Sequence, residues 1–178
     1  MSDYYITTEE LSECVSKLNA GDRVFLSGTV FTARDAAHKR IFELLDSREA
    51  LPFEIKGSVI YYAGPTPSRT KGKSGSIGPT TSSRMDKFSP RLLDLGLLAM
   101  IGKGDRSIEV VEAVKRNNAV YLCAGGGMGA LISKSIELIE EIAFPELGCE
   151  SIKRLRVKNM PLITAVDSSG KSIFNRKI

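Results

Sequence analysis

RLLDLGLLAMIGKGDRSIEVVEAVKRNNAVYLCAGGGMGALISKSIELIEEI, residues 91–142, is the stretch from which the fold class is read. A helical pattern over Arg91–Leu95 gives way to an apolar run over Leu97–Ile101, followed by a helix over Ser107–Asn117, a second run over Ala119–Cys123 and a helix over Met128–Ile142. Short apolar runs bounded by turn residues read as buried strands, and strands alternating with helices make the chain α/β. Towards the N-terminus, Tyr4-Tyr5-Ile6 reads as a strand, and Thr7-Thr8-Glu9-Glu10-Leu11 opens a helix with a threonine cap and early acids that suit the helix dipole. Residues 23–32 alternate as a strand with Arg34 at its exit, and Asp35 is placed to cap a helix in which Ala37, Ile41, Leu44 and Leu45 recur until Asp46-Ser47-Arg48. Ser58–Tyr62 is a further strand, after which Gly64-Pro65-Thr66-Pro67 starts a long turn-rich loop. Beyond residue 142, Leu155–Val157, Leu162–Val166 and Ser172–Phe174 read as short strands, with a hairpin turn at Asp167–Gly170. Neither an internal repeat nor a linker divides the chain, so residues 1–178 are expected to form one domain.

Composition narrows the partners. A chain of 178 residues, 42% hydrophobic, is long enough for a core that buries roughly 70% of its unfolded surface. The net charge of +4 is unevenly spread: Arg69, Lys71, Lys73, Arg84, Lys87 and Arg91 share one segment with Asp86 as its only acid, which favours anions. Nucleic acid is disfavoured, because Phe88 is the only aromatic between Arg69 and Arg91 and single-strand binders need stacking platforms. No 18-residue apolar run is present and Met1-Ser2-Asp3-Tyr4-Tyr5 lacks the features of a signal peptide, so no membrane and a cytoplasmic location are expected. Cys14, Cys123 and Cys149 are odd in number and widely separated, unlike a disulfide framework or a closely spaced metal site, and read as structural cysteines.

The segment richest in chemistry is Gly78-Pro79-Thr80-Thr81-Ser82-Ser83-Arg84-Met85-Asp86, a hydroxyl-rich loop carrying an arginine. Arg34 and Lys103, the latter in Gly102-Lys103-Gly104, each follow a strand-like run, where α/β folds place ligands. Together they suggest a pocket for a small polyanion, with arginine forks suited to carboxylates. Two other motifs fail. Gly125-x-Gly127-x-x-Ala130 matches a dinucleotide fingerprint, but Pro145 and Gly148 fall where its next strand must be, and Gly72-Lys73-Ser74 would need a glycine at Pro67. His38 is the sole histidine, which excludes sites needing two from this chain and favours a surface or capping role over catalysis.

On these residues the sequence resembles the β subunit, or C-terminal domain, of class I iron-sulfur fumarate hydratases and the related L(+)-tartrate dehydratases. The likeness is carried by Gly28-Thr29-Val30-Phe31-Thr32-Ala33-Arg34-Asp35-Ala36-Ala37-His38-Lys39, Ile60–Pro65, Gly78–Asp86, Gly102-Lys103-Gly104 and Phe144-Pro145-Glu146-Leu147-Gly148-Cys149-Glu150, in that order along nearly the whole chain. It implies a swivelling β/β/α domain with a central sheet or barrel-like core and flanking helices. It further implies a hydro-lyase of the tricarboxylic acid cycle, hydrating fumarate reversibly to (S)-malate. The active site would be shared with an α subunit, in an α2β2 assembly, whose three cysteines hold a four-iron, four-sulfur cluster, with no metal bound by this chain. At matching positions Arg34, Arg84 and Lys103 would bind the dicarboxylate and Thr80 would act at the carbon that exchanges a proton, with Asp35 and Asp86 as local substitutes for that base. The family's frequent Thr-Thr-Ala-Gly-Arg-Met-Asp is altered here to Ser82-Ser83 before the arginine. A hydroxy-diacid dehydratase subunit acting on tartrate and a non-catalytic anion-binding regulatory module are the competing expectations.

Overall fold

The computed structural model describes residues 1–66, 75–125 and 129–174. Its frame is a ring of five strands. Strands β2 (Arg23–Thr32), β3 (Val59–Tyr61), β4 (Ala99–Gly102) and β5 (Val120–Cys123) run parallel side by side, and β7 (Ile152–Val166) pairs antiparallel with both β5 and β2 to close the circle. Two strands extend the ring: β1 (Asp3–Thr7) lies parallel on the first half of β2, and β6 (Ile136–Ala143) lies antiparallel on the first half of β7.

Apolar runs on both faces of these strands serve two cores. Val59, Tyr61, Ala99, Ile101, Val120 and Leu122 pack with Val24, Leu26 and Leu155 in one cluster, while the intervening Ile60, Tyr62, Met100, Tyr121 and Cys123 belong to another. The second cluster includes Ala37 and Ile41 of α2 (Asp35–Ser47), Leu92 and Leu93 of α3 (Ser89–Asp94), and Val110, Ala113 and Val114 of α4 (Ile108–Arg116). Successive strand residues point to opposite faces, so one set fills the ring and the other lies beneath the helices. This is a mixed α/β fold, as the strand and helix rhythm anticipates, with the barrel-like core that the family resemblance implies. At the chain start, Thr7 and Glu10 form a reciprocal capping box, the Glu10 carboxylate accepting from Thr7 N–H at 3.0 Å and Thr7 Oγ1 accepting from Glu10 N–H at 3.3 Å. Helix α1 (Leu11–Cys14) follows it.

The structure corrects several expectations. Met128–Ile142 is not one helix: α5 (Gly129–Ser135) ends and β6 begins at Ile136. Register shifts between Ile136 and Leu138 and between Glu141 and Ala143 break the period of two. The inward positions Ile136, Ile139 and Ile142 therefore recur every third residue, a spacing that mimics a helix. The segments 155–157 and 162–166 belong to one strand, β7. Pro161 is tolerated within it because it stands opposite Phe25 in the interval between Val157, where β6 ends, and Ile163, where β5 begins, so one edge there needs no N–H. Ser172–Phe174 makes a single bridge, Val166 to Ser172, rather than a strand. The Gly72-Lys73-Ser74 motif, the cations Arg69, Lys71 and Lys73, and residues 126–128 of the Gly125–Ala130 turn lie outside the described residues.

Candidate active site

Three adjacent parallel strands necessarily release their chains at the same end of the ring, and the predicted cations leave from there. β2 exits through Ala33 to Arg34, β3 through Tyr62-Ala63-Gly64, and β4 through Gly102 to Lys103. The hydroxyl-rich loop crosses these exits as an additional extended segment. Pro79 bridges Ala63, Thr80 N–H donates to Tyr62 O at 2.6 Å, Thr81 bridges Lys103 and Ser82 N–H donates to Lys103 O at 2.9 Å. Half-buried Thr80 is thereby fixed between the β3 and β4 exits. A 3-10 turn over Ser82–Met85 then folds Arg84 back towards the start of α2, where its Nε donates to Asp35 Oδ1 at 3.1 Å. Its Nη2 stands 2.9 Å from Asp35 Oδ2, which takes no aligned hydrogen bond, so that second contact is ionic. Arg34, Thr80, Arg84 and Lys103 thus lie at one end of the barrel.

Their electrostatic states differ. Arg34 is largely buried and pairs with Glu150 at 3.1 Å, leaving its Nε buried without an acceptor among the described residues. Arg84 is half-exposed and Lys103 is exposed, with no ion pair to Lys103 among the described residues. Both Asp35 and Asp86 are engaged. Asp35 does not cap α2 through its side chain but holds Arg84, while Asp86 accepts from Arg106 Nε at 2.7 Å and Ser107 N–H at 2.8 Å.

Sequence reasoning overlooked the buried network beneath this surface. Arg106 is enclosed between the rings of Tyr62 (5.4 Å to the centroid) and Tyr121 (4.8 Å), bonds Asp86, and donates to Ser89 Oγ at 2.6 Å. An arginine between Gly102-Lys103-Gly104 and a helix start has the same local signature as an exposed one. Ser82, which stands at the position where the resembling family usually has alanine, uses its hydroxyl to accept from Lys103 N–H at 3.0 Å and Tyr121 O–H at 2.8 Å. Gly102 permits that contact, since a Cβ on it would lie 1.9 Å from Ser82 Oγ and 2.9 Å from the Tyr62 ring. Gly102→Ala is therefore expected to destabilise the chain by about 1–3 kcal/mol through overpacking. Denaturant unfolding checks this, and adding Ser82→Ala should recover part of the loss by removing the nearest atom.

His38 is buried rather than at the surface. Its Nδ1–H donates to Arg34 O at 2.8 Å, while its ring stacks on Phe88 with centroids 5.3 Å apart and meets the Tyr62 ring edge-on. Burial pushes its pKa down to about 4, against the opposing pull of the Arg34 carbonyl and Asp35. As pH falls below the unfolded value near 6.5, the unfolded chain gains a proton that the native ring refuses, so stability declines until pH reaches about 4. The loss amounts to roughly 3 kcal/mol. Urea unfolding at pH 7 and pH 5 should show roughly 2 kcal/mol of that loss, and His38→Gln should flatten that component of the slope.

The cysteines do not gather. Cys123 lies at the end of β5 with burial pushing its thiol pKa up, Cys14 packs beside the inner core, and Cys149 is exposed on the 3-10 turn Pro145–Glu150. Among the described residues no group of three or more His, Cys, Asp or Glu side chains is arranged to hold a metal ion, and these three thiols do not fit an iron-sulfur cluster.

Comparison with known proteins identifies the family. Residues 3–177 match the family model described as Fumarase C-terminus. A Methanocaldococcus jannaschii protein provisionally named L(+)-tartrate dehydratase subunit beta is 41% identical over 173 residues, covering 92% of this chain and 89% of its own length. Fumarate hydratase 2 of Leishmania major is 38% identical over 96% of this chain, and the aerobic class I fumarate hydratase of Escherichia coli K12 is 37% identical over 94%. The chain spans only 30% and 31% of those two hydratases. It belongs to the fumarate hydratase and tartrate dehydratase β-subunit family, whose named members are hydro-lyases. No helix among the described residues is long and apolar enough to cross a membrane.

Proposed function

We propose that residues 1–178 act as the β subunit of a class I fumarate hydratase, a step of the tricarboxylic acid cycle in the cytoplasm, completed by an α subunit that carries the iron-sulfur cluster. The observation supporting this reading is the delivery of Arg34, Arg84, Lys103 and Thr80 to one end of three parallel strands. Hydration of fumarate builds negative charge on the carboxylate beside the reacting carbon, and fixed cations stabilise charge most where it develops. Arg34 and Arg84 take the two carboxylate ends, Lys103 supplies the positive charge that Glu150 and Asp35 leave unbalanced, and Thr80 exchanges the proton. A threonine hydroxyl needs an activating neighbour. Lys103, joined to the residue after Thr80 by a backbone bridge, is placed to be that neighbour, with an acid of the α subunit as the alternative source.

A second reading has its own support, since the M. jannaschii relative is matched along nearly its full length and carries the tartrate dehydratase name. The same cations suit any short hydroxy-diacid. Mixing the purified chain with its cluster-bearing α subunit without oxygen, and comparing turnover of (S)-malate and L(+)-tartrate, separates the two. A preference for malate supports the fumarate hydratase, a preference for tartrate the alternative. No turnover of either, with the chain monomeric, would leave only a non-catalytic anion-binding module.

A further inference from the structure

Arg34 is gripped from two sides by residues distant in sequence. The turn Pro145–Glu150 lies between β6 and β7, yet it brings Glu150 to the start of α2. There Glu150 Oε1 stands 3.1 Å from Arg34 Nη2 while Oε2 accepts the Ala36 N–H at 3.1 Å. One carboxylate therefore satisfies a first-turn amide of a 13-residue helix and fixes the guanidinium beside it. On the other side Gly64 presses against the arginine: a Cβ there would lie 3.0 Å from Nη1, 3.2 Å from Cδ and 2.9 Å from Cys149 O. Lys153 holds the turn itself, its Nζ donating to Gly148 O at 3.1 Å and Ser151 O at 3.3 Å.

We infer that Glu150, backed by Lys153 and opposed by Gly64, is a positioning residue that sets the direction of Arg34, so that an incoming carboxylate meets an already oriented guanidinium. The inference rests on the reading of Arg34 as a substrate ligand. A merely structural Glu150 would affect folding alone, whereas a positioning one acts in addition on substrate binding through Arg34. Holding a cation in place before binding removes an ordering cost that would otherwise weaken the complex.

The test is a mutant cycle in the reconstituted α and β enzyme with (S)-malate and L(+)-tartrate as probes. Glu150→Gln should raise KM for the better substrate by about tenfold with kcat changed by less than about threefold, the pattern of lost uniform binding. In an Arg34→Ala background, which itself raises KM, the same change should have no further effect. If Arg34→Ala raises KM and Glu150→Gln does not, or if the two effects multiply, the positioning role is overturned while Arg34 stands as a ligand. If Arg34→Ala leaves KM unchanged, the ligand reading fails and the inference falls with it.

Discussion

Arg84→Ala is expected to lower kcat/KM of the reconstituted enzyme by about a hundredfold to a thousandfold, the range seen when one preorganised donor to a developing anion is removed. The fold should survive. Arg84 is half-exposed and its partner Asp35 partly so, and exposed ion pairs contribute at most about 1 kcal/mol. The 3-10 turn that presents Arg84 is held instead by Ser82 and Met85, both buried. Steady-state kinetics combined with thermal melting of the isolated chain separates loss of function from loss of structure. Arg84→Lys should recover little, because an ammonium cannot reproduce the planar fork that matches a carboxylate. An unchanged kcat/KM would remove Arg84 from the site.

Arg106→Ala should instead act through stability. The Arg106 side chain is fully buried and Asp86 partly so, and removing one partner of a buried pair leaves a charge without compensation, at a cost of about 3–5 kcal/mol. For a domain of this size that lowers the melting temperature by roughly 10 °C. The substitution also frees Ser89 Oγ from a donor and opens a void between the Tyr62 and Tyr121 rings. Because Asp86 terminates the loop that carries Thr80 and Arg84, activity should fall as well. Arg106→Met paired with Asp86→Asn removes both charges and should regain much of the stability. Calorimetry of the wild type and the two variants checks the order: wild type highest, the double variant next, Arg106→Ala lowest.

The strands that build the site were legible from an alternating segment at β2 and short apolar runs at β3 and β4, each followed within three residues by a charge or a turn-forming glycine. That pattern at Thr32, Tyr61 and Gly102 places Arg34, Gly64 and Lys103 at strand exits, and the structure adds that the strands are adjacent and parallel. Strand β6 escaped because two bulges converted its period from two to three. His38 carried a readable signal: Ala37, His38 and Ile41 lie on one helical face, and all three are buried. Arg106 and Glu150 carried none, since what distinguishes them from surface charges is a partner 20 residues away in one case and the guanidinium of Arg34 across the barrel end in the other. Local patterns report which face a residue occupies, but pairing between distant segments emerges only once the ring is closed.

The most direct measurement is a crystal structure of the chain bound to its α subunit with (S)-malate in place. The two malate carboxylates are predicted within hydrogen-bond distance of Arg34 and Arg84, with Lys103 and Thr80 against the same molecule. Malate held by the α subunit alone, with these four side chains turned away from it, would contradict the shared cationic site.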